Sequence, residues 1–132
     1  MMQKKGSNLD FGKSVEDAVF SMSEGKAGFY ISKYIAELGT GPGSQGLPEY
    51  VAIDSAFLRI GVRLSGYRAG SPQEYHRVIA NAKTAFKMLA DASLKDENFK
   101  HIFLSVKRYW FPKDVSQYLE ELYESIFPSL RR

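Results

Sequence analysis

Cysteine is absent from the 132-residue chain, which excludes a disulfide scaffold, a thiolate metal centre and a cysteine nucleophile. The same absence fits a reducing compartment, and the chain reads as cytoplasmic. Histidine is scarce too: His76 and His101 are the only two, a poor metal set without thiolates. No apolar run approaches the ~18 residues of a membrane span, so no membrane partner is expected. The stretch from Met1 to Asn8 lacks the apolar core of a secretory signal. What is present is ordinary globular material: 44% hydrophobic residues, 25% charged, and 18 aromatics, from 9 Phe, 8 Tyr and 1 Trp. Disorder over the whole chain is thereby excluded, and the length points to one domain.

Apolar residues recur with helical period along almost the whole sequence. After a flexible segment, 1–9, the spacing predicts a helix from Asp10 to about Met22, stopped at Ser23-Glu24-Gly25. A second runs from about Ala27 to Leu38, with Gly39 as its C-terminal stop. Four glycines in residues 39–46 mark a loop, 39–47. A third helix opens at Pro48 and reaches Ser65, burying Tyr50, Ile53, Phe57, Ile60, Gly61 and Leu64. Val51, Leu58 and Val62 form a second apolar stripe, so that helix is expected to be wrapped on most sides. Ser71-Pro72-Gln73-Glu74 is a capping box with proline at N1; the helix behind it runs to about Ala92. A fifth helix spans about Asp96 to Trp110, with Trp110 on its inner face, and Leu104 turned outward. Asp114 and Gln117 form a second capping box, opening a last helix that ends before Pro128. No segment alternates with a period of two. The fold expected is all-α, one compact bundle of about six helices over residues 10–132.

The motifs that carry chemistry mostly fail. Gly41 and Gly46 have the first spacing of a phosphate loop, but Leu47 and Pro48 stand where lysine and serine or threonine are needed, and a helix precedes them. No His-x-x-x-His pairing exists. Arg68 and His76 are too far apart, and on opposite sides of the Ser71 cap, for the Arg–His spacing of some helical nucleases. Glu120, Glu121 and Glu124 share an outer helix face and read as a solvated surface rather than an acid–base pair. No cofactor, metal or catalytic residue is expected, and the chain reads as non-catalytic.

Charge is more informative. The net charge is +3, but residues 59–113 hold 11 basic and 4 acidic groups, while both flanking segments are mildly acidic. Arg59 and Arg63 lie one turn apart on the third helix; Lys83 and Lys87 repeat the spacing on the fourth. Arg68 lies in the loop between them, and Lys107 and Arg108 open a run, to Lys113, that interleaves cations with rings. Such spacing suits a phosphate backbone, RNA or DNA, because neutralised phosphates release counterions, and cation–ring alternation suits stacked bases. In size and charge the chain is similar to the small helical subunits that line nucleic acid in CRISPR effector complexes. The likeness implies a nucleic-acid-binding subunit of a larger assembly, touching other protein subunits or copies of itself. The alternative is a protein-interaction module (an inhibitor, immunity or adaptor protein) whose basic face meets an acidic partner. An enzyme with an unrecognised site, or a structural role, ranks behind both.

Overall fold

Residues 15–40 and 47–127, which the computed structural model describes, form six helices and no strand. They are α1 (residues 15–21), α2 (Glu24–Thr40), α3 (Leu47–Ser65), α4 (Pro72–Ser93), α5 (Glu97–Val106) and α6 (Lys113–Ile126). This is the all-α bundle that the periodicity predicts. The segment 1–9 and most of the glycine-rich stretch, 41–46, lie outside the described residues.

The longest helix, α4, is the centre. It packs against α2, α5 and α6, while α3 lies against α5. Its start is set locally: the Ser71 hydroxyl accepts from the Glu74 N–H at 3.1 Å, with Pro72 at the first helical position. The reciprocal half of the capping box differs from expectation. The Glu74 carboxylate reaches one residue further back, accepting from the Gly70 N–H at 2.7 Å and from the Tyr67 hydroxyl. Those two bonds hold the Glu74 carboxyl below its ordinary value, and the bond to Glu74 pushes the Tyr67 phenol up.

Phe86 of α4 joins three elements. Its ring centroid is 4.9 Å from Phe57 of α3 and 4.9 Å from Phe111, beyond the end of α5. A second ring stack, Phe103 on Tyr123 at 4.4 Å, fastens α5 to α6, and the Tyr123 hydroxyl donates to the Phe103 carbonyl. Burial pushes that phenol strongly up.

Two breaks fall elsewhere than predicted. Ser23-Glu24-Gly25 does not separate two helices widely; only Met22 and Ser23 interrupt them, and the Ser23 carbonyl already accepts from the Ala27 N–H at 2.9 Å. So sharp a break leaves the last carbonyls of α1 without helical donors, and α4 supplies them. Asn81 Nδ2 donates to the carbonyls of Val19 (3.0 Å) and Met22 (2.8 Å), and Arg77 donates to those of Met22 and Phe20. At its other end, α2 continues through Gly39 to Thr40, so Gly39 is not its stop.

The fifth helix ends at Val106, four residues short of Trp110. Asp96 caps it, accepting from the Asn98 and Phe99 N–H groups. The chain then turns through Lys107–Trp110 to drive Phe111 into the core. In consequence Trp110 is 58% exposed rather than inward. Leu104, by contrast, is half-buried against the core instead of outward. Helix α6 starts at Lys113, with no side-chain cap, so Asp114 does not act as the expected N-cap.

Candidate functional site

Arg59 and Arg63 occupy the strip of α3 that the sequence leaves open, and both are engaged by one carboxylate. Arg59 Nε donates to Glu16 Oε1 at 2.6 Å and Arg63 Nη1 to Glu16 Oε2 at 2.9 Å, while the Arg63 guanidinium lies 3.9 Å above the Phe20 ring. Burial opposes ionisation of Glu16, but the bonds and charges of the two arginines outweigh it and hold the carboxyl below its ordinary value. The arginine pair thus joins α3 to α1.

The lysine stripe is elsewhere. Residues two apart on a helix are turned by about 200°, so Asn81 and Lys83 point to opposite sides of α4. Asn81 grips the end of α1; Lys83 lies half-buried with its ammonium 5.7 Å from the Tyr118 ring of α6. Lys87 is exposed but bonded to Asp91, one turn on, at 3.1 Å. Lys107 is exposed, its ammonium 5.2 Å from the Tyr123 ring. Arg68 and Arg108 are exposed and form no ion pair with described residues. The structure therefore brings together Arg59 with Arg63, and Lys107 with Arg108. It does not bring the arginine pair and the Lys83–Lys87 stripe onto one face.

The unforeseen feature is apolar. Val51, Leu58 and Val62, expected to be wrapped, are 59%, 43% and 63% exposed along one side of α3. One flank of this stripe is the arginine pair. The other is the turn after α5, where the Tyr109 hydroxyl donates to Asp54 Oδ1 at 2.9 Å. There the Trp110 carbonyl lies so close to Gly61 that a Cβ would stand 2.3 Å from it. Partial burial and the Asp54 bond push the Tyr109 phenol up, despite a bond to Ser105 that lowers it. An exposed apolar strip with an exposed Trp near one edge and arginines along the other has the make-up of a protein interface: an apolar centre within a polar rim, rich in Trp and Arg. A signal for it was present in the sequence, since Ser55 and Ser65 fall in the same stripe and serines suit a core poorly.

Elsewhere, a groove of about 410 Å³ separates α2 from the α4–α5 turn. Its carboxylates are already engaged, Asp91 by Lys87, and Asp96 by the Tyr50 hydroxyl and the first amides of α5. Among the described residues no three His, Asp or Glu side chains gather to hold a metal, and no helix is long and apolar enough to cross a membrane. No protein-family model, curated protein or solved structure gives a significant match to the chain.

Proposed function

We propose that this chain is a non-catalytic helical interaction module that docks another protein on the outward face of α3. The observation that carries the reading is the exposure of Val51, Leu58 and Val62 in one line beside Trp110. Leaving apolar area in water is unfavourable by roughly 25 cal/mol per Å², and a partner that covers the strip recovers that free energy. The commitment of Arg59 and Arg63 to Glu16 makes the centre of the surface apolar rather than cationic. A photo-cross-linking side chain at Val62 tests it in cells. Cross-links to protein, abolished by Leu58→Glu, are the expected result; cross-links to nucleic acid, or none, overturn it.

A second reading, a nucleic-acid contact within a larger assembly, is supported by one observation. Trp110 is exposed beside Lys107, Arg108 and Lys113, the arrangement single-strand binders use for stacking and phosphate contact. It calls for quenching of the single tryptophan by an oligonucleotide, weakening steeply with salt and lost in Lys107→Glu/Arg108→Glu. Tryptophan emission that stays unchanged at low salt removes it.

A further inference from the structure

The outward residues of α3 follow a coiled-coil repeat. Positions 51, 55, 58, 62 and 65 (Val, Ser, Leu, Val, Ser) alternate in steps of four and three, the a/d spacing by which two helices share a seam. Ser55 and Val62 take a; Val51, Leu58 and Ser65 take d. Leucine at d followed by valine at a, the combination that favours two parallel strands, occurs once, at Leu58 and Val62, with small serines at 55 and 65. The positions beside the seam are equally ordered. Asp54 and Gly61 fall at g, and Ala52, Arg59 and Gly66 at e. In a parallel pair, g of one helix faces the e residue five places on in the other, so the asparagine-free seam is bordered by complementary charges: Asp54 of one chain opposite Arg59 of the next, and the reverse by symmetry.

We infer that the partner on this face is a second copy of this chain, its α3 lying parallel to the first across a twofold axis along the helix. The inference rests on the reading of α3 as a docking face and names what docks there. The charged atoms it needs are available. Tyr109 occupies Asp54 Oδ1 and Glu16 occupies Arg59 Nε, which leaves Asp54 Oδ2 and both Arg59 Nη nitrogens for the other chain. The antiparallel alternative sets g against g and e against e, bringing the Asp54 flanks together and the Arg59 flanks together, which repels. The next g–e pair is Gly61 with Gly66. Gly61 is covered by the Trp110 turn of its own chain, while Gly66 is open, so this pair adds no contact of its own.

The absence of cysteine permits a direct test on the full-length chain. In a parallel pair, the two copies of Ser55 face each other across the seam within disulfide reach. Sedimentation equilibrium is expected to show a concentration-dependent dimer, and Ser55→Cys to oxidise to a disulfide-linked dimer. Val62→Glu, with an unchanged helical circular dichroism spectrum, is expected to raise the dimer dissociation constant by about tenfold or more. If Asp54→Lys and Arg59→Glu each weaken the dimer and their combination restores it, the charge pairing holds. A monomer at every concentration overturns the inference, as does a dimer in which Ser55→Cys forms no link. Neither result touches the docking face itself, which stands or falls by whether Val62 cross-links to protein of any kind, a second copy included.

Discussion

Tyr109 donates its hydroxyl to Asp54 Oδ1 at 2.9 Å across 55 residues of sequence, pinning the turn after α5 to the side of α3. The bond borders the exposed strip, so it sets where the polar rim of that strip begins. Tyr109→Phe deletes the donor and leaves the half-buried Asp54 short of a partner. The expected cost is about 1 kcal/mol of unfolding free energy, read as a lower urea midpoint with an unchanged m-value.

Gly61 lies beneath the same turn. An added Cβ would stand 2.3 Å from the Trp110 carbonyl, which is backbone and unable to step aside by changing rotamer. Gly61→Ala is expected to displace the turn and to destabilise the fold by about 1–3 kcal/mol, as overpacking does. Trp110 is the single tryptophan, so its emission reports the displacement directly. A spectrum and midpoint identical to those of the parent protein would contradict the packing described.

Asn81 is fully buried, and its amide donates to main-chain carbonyls of α1. Asn81→Ala removes donors from carbonyls in the interior, at an expected cost of about 2–3 kcal/mol. Loosening is expected to begin at α1, so limited proteolysis should cut near residues 21–23 well before the rest of the bundle opens. Asn81→Asp is expected to be worse at neutral pH, because it buries a charge against carbonyl oxygens.

Phe86 is fully buried and touches rings from two other elements. Truncation to alanine leaves a cavity at the centre of the molecule. A loss of about 3–5 kcal/mol is expected in chemical denaturation.

Acid sensitivity follows from Glu16 and Glu74, both held below the ordinary glutamate value of 4.5. The folded protein binds fewer protons than the unfolded chain in that range, so stability rises with pH there. The contribution is fully present above the ordinary value and is lost as pH falls through it toward the lowered folded values. Thermal midpoints measured from neutral to acidic pH should fall less steeply in Glu16→Gln than in the parent. Equal slopes would show that the Arg59–Glu16–Arg63 bonds do not persist in solution.

What the sequence discloses here is local. Ser71, Pro72 and Glu74 announce the start of α4 because a cap is made by neighbours a few residues apart, and the buried face of α3 follows from period alone. Trp110 shows where that reasoning ends. A face assigned at 100° per residue holds only while the helix continues, and α5 stops at Val106. Arg59 and Arg63 are legible as an exposed pair, yet Glu16, which engages them, lies more than 40 residues away on a helix whose placement no local pattern gives. Val51, Leu58 and Val62 are legible as apolar and nothing more. Hydrophobicity states that a residue seeks cover without saying whether its own chain supplies it.

Arg77 and Asn81 hold α1 by its carbonyl oxygens, which every amino acid carries in the same place. The exposed Ser21 and Ser23 can therefore be replaced without breaking the grip, whereas Met22 also packs on the core. The two donors on α4 have no such latitude, since few other side chains offer N–H groups at that reach. In diverging copies of this sequence, change should collect at the junction and spare the pair that reads it.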